Sequence, residues 1–205
     1  MNGAPSQTEG TSTDSLPRIK RTDVAKEEKE EWFAMNATYR SEKLMKDELE
    51  AVGLKCFYPT EKKDKRVGRR LKKVWAPIVA SLIFVYGKKT EIQNFKKTRE
   101  RLQYVCKPDG KGGRTPITVP TDQMDAFIRL YDNCKYEITE DPDTINSILP
   151  GQRVRVVEGP LMGLTGTFQR IKGHRSKTFI VKLESLLAIH TTEIKPEHLE
   201  KIEEG

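Results

Sequence analysis

The chain has 205 residues, room for one large domain or two small ones. Hydrophobic residues at 36% and charged residues at 33% suit small units with much surface and argue against one deep core. A net charge of +7 points to an acidic partner, nucleic acid first, while no apolar run approaches the roughly 20 residues that span a bilayer. The start of the chain lacks the apolar stretch of a secretory signal, so a cytoplasmic protein with no membrane contact is expected. Residues 1–31 carry five basic and seven acidic side chains, and residues 151–205 carry nine and seven, so the basic excess belongs to residues 32–150. In chain order, residues 1–31 hold Leu16, Ile19 and Val24 as their only large aliphatics and are expected to be a disordered tail, with transient helix over 24–31.

Order is expected from Trp32. "WFAMNA" reads as a strand and "SEKLMKDELEAVG" as a helix, with Ser41 as N-cap, Leu44, Met45, Leu49 and Val52 on one face, and Gly53 just past its end. "LKCFYP" is a second strand and "IVASLIFVYG" the strongest one. "TEIQNFKKTRERL" places Ile92, Phe95, Arg99 and Leu102 along one helical stripe. "QYVC" and "PITVP" read as short strands around the loop "KPDGKGGRTP". "TDQMDAFIRLYDN" is a third helix with Thr121 as N-cap and Met124, Phe127, Ile128 and Tyr131 inward. The order predicts an α+β, ferredoxin-like (split βαβ) domain over 32–138, with helices on one sheet face and the other face left for partners. A linker over 139–150 then leads to several short, glycine-punctuated strands in 151–205, a small β-barrel.

No catalytic or metal constellation emerges. Cys56, Cys106 and Cys134 are widely spaced and read as reduced thiols, and His174, His190 and His198 show no ligand spacing. Ser41 and Ser81 have no histidine in the same predicted domain, and "PDGKGGRTP" lacks the spacing of a phosphate-binding loop. The expectation is a binding protein, not an enzyme, with no cofactor. Its most basic stretch is "EKKDKRVGRRLKK". Lys62, Lys63, Lys65, Arg66, Arg69, Arg70, Lys72 and Lys73 lie between two strands there, and Gly68 is the residue that most readily turns. Such side chains suit a phosphate backbone, although a solvated loop has the same composition.

In "GQRVRVVEGPLMGLTGTF", Arg153 and Arg155 alternate with Val154 and Val156, so one face is core and the other is wet. Gly159-Pro160 forces a turn, and Gly163 and Gly166 permit positive φ or close backbone approach. With Leu161, this stretch resembles the KOW motif, which implies an SH3-like barrel that binds RNA or protein. The stretch "WFAMNATYRSEKLMKDELEAVGLKCFYPTEKK", the basic segment and "APIVASLIFV" together resemble a NusG N-terminal domain, and the likeness covers about residues 32–205. The family commonly has a "PLFPGYVFV"-like strand where this chain has "PIVASLIFV". Val79, Ala80, Ser81 and Leu82 replace Phe, Pro, Gly and Tyr, while Phe84 is kept. The departure suggests a specialised paralogue of the RfaH or capsular-polysaccharide-operon type.

The resemblance implies a transcription elongation or antitermination factor, expected to be a monomer. Asn36, Leu82 and Phe84 would face the clamp helices of RNA polymerase, and Lys65, Arg66, Arg69, Arg70, Lys72 and Lys73 the nucleic acid of the elongation complex. The barrel would recruit a NusE-type ribosomal protein, Rho or nascent RNA. The alternative is a ribosome-associated or general RNA-binding KOW protein.

Overall fold

The computed structural model describes residues 28–140, 145, 152–171, 175–184 and 186–202. Most of the expected tail (1–27), most of the expected linker (141–144 and 146–150) and His174 lie outside the described residues.

The first strand, β1 (Glu30–Ala37), buries Trp32, Phe33, Ala34 and Met35 in succession. A continuous apolar run of this kind marks a strand covered on both faces. A 3-10 turn (Thr38–Arg40) leads into α1 (Glu42–Ala51) and then β2 (Lys55–Phe57). A long hairpin of β3 (Thr60–Val67) and β4 (Arg70–Pro77) precedes β5 (Leu82–Lys88), α2 (Lys89–Lys96) and β6 (Leu102–Tyr104). The short strands β7 (Cys106–Pro108), β8 (Arg114–Pro116) and β9 (Thr118–Val119) precede α3 (Thr121–Asn133). The central sheet has the order β2-β5-β1-β6, with β5 antiparallel to both β1 and β2. It is the split βαβ arrangement: β1 and β2 run parallel with β5 inserted between them.

Alternation along β5 divides the apolar residues between two layers. Ile83 and Val85, with Phe33 and Met35 of β1, meet Met45 and Leu49 of α1 and Ile92 and Phe95 of α2. Leu82 and Phe84, with Trp32 and Ala34, lie in a second layer with Met124, Phe127 and Leu130 of α3. The expectation of an open sheet face is therefore corrected. α3 covers that face, and Leu82 and Phe84 keep only 7% and 0% of their surface exposed.

Three helix termini also differ from expectation. Ser41 sits at the N-cap of α1, but its hydroxyl donates to the Thr38 carbonyl at 2.6 Å and makes no cap to the helix. Pro120, not Thr121, occupies the N-cap of α3, at φ −54° and ψ 140°, and no side chain caps that helix. α2 stops at Lys96, because Leu102 is taken into the sheet opposite Ala37 instead of extending the helical stripe. The expected loop after Cys106 contains the β7–β8 pair. Its turn is held by the Asp109 carboxylate, which accepts from the Lys111 and Gly113 backbone N–H groups at 2.8 Å each.

The second domain comprises β10 (Glu137–Thr139), β11 (Gln152–Val156), β12 (Thr165–Gln169), β13 (Thr178–Leu183), β14 (Leu187–Thr191) and β15 (Leu199–Lys201), with a 3-10 turn (Pro196–His198) before β15. These strands form one antiparallel sheet in the order β10-β14-β13-β12-β11-β15 around buried Val154, Val156, Phe179, Val181, Leu187 and Ile189. The strand β10, which falls at the expected domain boundary, hydrogen-bonds to β14 and so belongs to this sheet. The molecule is thus an α+β domain followed by a β domain.

The two domains touch through α3, which packs against β13. The Arg129 guanidinium donates to the carbonyls of Pro160 and Met162 at 3.0 and 2.9 Å, and Lys107 pairs with Glu184 at 3.6 Å.

Candidate nucleic-acid interface

The basic segment forms a hairpin that pairs only with itself, as a separate two-stranded sheet. Val67 opposes Arg70, leaving Gly68 and Arg69 as a two-residue turn. Gly68 has φ +62°, and a Cβ there would meet nothing within 4 Å. Backbone conformation, not lack of space, selects glycine at this turn. The base is anchored by the Tyr131 hydroxyl, which accepts the Thr60 N–H at 3.1 Å and donates to the Thr60 carbonyl. From there Lys62, Lys63, Lys65, Arg66, Arg69, Arg70, Lys72 and Lys73 are all exposed, with only Glu61 and Asp64 of opposite sign in the two strands. Glu61 is engaged by Lys63 at 2.8 Å. Eight cations on a narrow projecting ribbon make a concentrated positive field at low cost in buried charge.

Cross-strand partners share a face, so the register sorts the hairpin into two sides. Lys62 with Trp75, Asp64 with Lys73 and Arg66 with Leu71 lie on one side. Lys63 with Val74, Lys65 with Lys72 and Val67 with Arg70 lie on the other. Sequence reasoning passed over Trp75 and Leu71, which are 65% and 72% exposed. The available signal was a tryptophan in the same strand as Arg70, Lys72 and Lys73.

The residues expected to face the polymerase are separated by burial. Asn36 is exposed at the end of β1 and is paired in register with Leu82, which is buried, as is Phe84. The adjoining turn is fixed by the buried carboxylate of Glu42, which accepts the Ser81 N–H at 2.9 Å and holds Ser81 at φ +63°.

In the second domain, the exposed Arg153 and Arg155 alternate with buried Val154 and Val156. The turn after β11 is closed by Gly163 N–H to the Val156 carbonyl at 2.7 Å and by Met162 N–H to the Gly159 carbonyl at 3.1 Å. Gly159 and Gly163 have φ of +84° and +86°, and a Cβ on Gly166 would come within 2.6 Å of the Ile180 carbonyl oxygen. Leu161 is buried beneath this turn, whose Pro160 carbonyl meets Arg129. Each glycine has a conformational or steric reason that belongs to the fold.

The thiol chemistry is muted. Cys56, Cys106 and Cys134 are free and half-buried, and burial raises the Cys56 thiol to about 11. Among the described residues, no group of three or more His, Cys, Asp or Glu is arranged to hold a metal ion, and no helix is long and apolar enough to cross a membrane.

The chain thus joins an α+β domain that bears a cationic hairpin to a small β domain. Residues 30–128, from β1 into α3, match the family described as "Transcription termination factor nusG". The match takes in most of the N-terminal domain, the β3–β4 hairpin included, and none of the β domain. A solved structure described as "Domain interaction in Thermotoga maritima NusG" is similar at 20% identity, covering 85% of this chain and 98% of that one, with a TM-score of 0.40. No curated protein matches the sequence.

Proposed function

We propose that this protein is an operon-specific elongation or antitermination factor that acts by binding alone. The N-terminal domain docks on the clamp helices of RNA polymerase, and the β3–β4 hairpin reaches the nucleic acid of the elongation complex. The observation that carries this reading is the hairpin itself: eight exposed cations standing clear of a domain that matches the NusG family. Its side chains neutralise phosphates and release counterions without reading bases, which suits a factor that travels over changing sequence.

Polymerase docking is assigned to the end of the sheet where Asn36 is exposed. Leu82 and Phe84 form the packed floor beside it and shape that surface from beneath. The β domain recruits a second partner, a NusE-type ribosomal protein, Rho or nascent RNA. The departures at Val79, Ala80, Ser81 and Leu82 from the commoner strand favour a specialised paralogue of the RfaH or capsular-polysaccharide-operon type over a general factor.

A pull-down with core RNA polymerase, run beside purified ribosomes, tests the reading. Retention on polymerase is expected. Retention on ribosomes alone would identify a ribosome-associated RNA-binding protein and refute it. Occupancy across the genome then decides operon specificity, with signal confined to a few operons expected.

A further inference from the structure

We infer that Tyr131 sets the direction of the β3–β4 hairpin and, through Tyr136, couples that direction to the seating of the β domain on α3. The inference rests on the reading of the hairpin as a nucleic-acid contact and names the residues that position it.

The hairpin pairs with no other strand, so its direction depends on what holds its base. Among the described residues, the two hydrogen bonds that tie it to α3 share one hydroxyl, that of Tyr131 on the Thr60 N–H and carbonyl. The Tyr131 ring is itself held. Phe57, at the end of β2, meets it edge-on with ring centres 5.4 Å apart, and Phe127, one turn back along α3, stacks on it at 6.5 Å. Each strand of the hairpin has eight residues. At about 3.3 Å per residue the hairpin is a lever about 26 Å long, and a tilt of about 10° at its base moves the tip by about 4–5 Å. A small change at Tyr131 is therefore a large one at Arg66, Arg69 and Arg70.

Another neighbour of that ring comes from the segment that enters the β domain. Tyr136 packs against Tyr131 with ring centres 5.5 Å apart, and it directly precedes β10, which pairs with β14. The backbone just before it is clamped by the β domain. The Lys135 N–H donates to the Glu193 carboxylate at 3.0 Å, and the Lys135 carbonyl accepts from the Thr191 hydroxyl at 2.7 Å. Burial, with the nearby Tyr131, Glu61 and Asp132, pushes the Tyr136 hydroxyl up to about 12, so the packed ring is neutral. On the other side of Tyr131 in the chain, Arg129 donates to the Pro160 and Met162 carbonyls. The β domain thus grips the chain before and after the one residue that holds the hairpin. Drawing the β domain off α3 releases Arg129 and Lys135, loosens Tyr136 and frees the hairpin to swing. Coupling is reciprocal, so a ligand that fixes the hairpin in its present direction also favours the seated β domain.

The test uses the full chain, with Cys56, Cys106 and Cys134 replaced by Ser, and distances between paired spin labels read by pulsed dipolar spectroscopy. One pair joins the hairpin tip to α1, through Arg69→Cys and Lys43→Cys. A control pair joins α1 to α3 within the domain, through Lys43→Cys and Asp122→Cys. The protein without further change is expected to give one narrow tip distance. Tyr131→Phe, which removes only the hydroxyl, and Tyr136→Ala are each expected to broaden the tip distance over the roughly 4–5 Å swing of the lever. Tyr136→Phe keeps the ring and is expected to keep the narrow distance. The double variant Arg129→Ala, Glu193→Ala changes no residue of the hairpin and is expected to broaden the tip distance as Tyr136→Ala does. The control distance is expected to stay narrow throughout. A narrow tip distance in Tyr131→Phe would overturn the hydroxyl as the anchor. A narrow tip distance in Tyr136→Ala or in the double variant would overturn the coupling, and so would a control pair that broadens alongside the tip pair. These distances are measured without nucleic acid, so they stand apart from the phosphate contact, whose failure is read from the arginine variants of the tip.

Discussion

Replacing Leu82 by Asp, or Phe84 by Ala, should strongly destabilise the N-terminal domain whatever its effect on a partner. Phe84 is fully buried, with its ring 6.3 Å from that of Phe127 on α3. Truncation of such a side chain costs about 3–5 kcal/mol, a large share of the roughly 5–15 kcal/mol that holds a domain together. At about 4–8 °C per kcal/mol for a domain of this size, the melting temperature should fall by at least about 12 °C. Leu82→Asp is harsher, because it places a carboxylate among Val79, Phe84 and α3, and isolated buried charge costs several kcal/mol. Leu71→Asp on the exposed hairpin is the matched control, with an expected change within about 0.5 kcal/mol. Thermal unfolding of the purified variants by circular dichroism makes the comparison. A Leu82→Asp protein that melts with the wild type would refute the burial of this face beneath α3.

Gly166→Ala should destabilise the β domain by about 1–3 kcal/mol, since the new Cβ meets the Ile180 carbonyl and the Phe179 ring; urea unfolding checks this. A fragment of residues 149–205 should fold as a β domain, and one of residues 135–205 should be more stable because it restores the β10–β14 ladder; a helical or unstructured spectrum for both would count against an autonomous domain. Stability should fall as pH rises. Burial lifts Cys56 from 9.0 to about 11, so the folded state holds that proton more tightly, and the contribution is complete below pH 9 and lost by about 11. Melting curves should show the decline, and Cys56→Ala should lessen it. Glu42→Ala should destabilise the N-terminal domain by about 1–3 kcal/mol by leaving the Ser81 N–H without its acceptor, again read from melting curves.

Features with local causes were legible in the sequence. The α3 segment coincides with the expected helix because its apolar period and its flanking residues agree, and the hairpin turns where Gly68 permits it. The KOW-like stretch declares its turns through Gly159 and Gly163 and its close approach through Gly166. Features set by distant partners were not legible. Periodicity shows that α3 has an apolar side, yet not which sheet face that side covers, so Leu82 and Phe84 were expected to be open. The three residues of β10 carry no signal of their own and become a strand only because β14, some fifty residues later, offers a free edge. The stripe after Lys96 reads as helix until Leu102 finds Ala37 in the sheet. At the candidate site, the cations were visible as composition, whereas the exposure of Trp75 and its side of the ribbon needed the register.

The most direct test of the central claim is the salt dependence of the protein's hold on a scaffold-assembled elongation complex, wild type against the Arg66→Ala, Arg69→Ala, Arg70→Ala variant. These side chains project from the tip of the hairpin, away from the sheet that carries Asn36. Binary binding to the polymerase clamp should therefore stay nearly intact, while affinity for the complete complex falls. The slope of log affinity against log salt should flatten by up to about three phosphate contacts' worth. An unchanged slope with unchanged affinity would mean that the arginines are a solvated surface, and would contradict the proposed role of the hairpin.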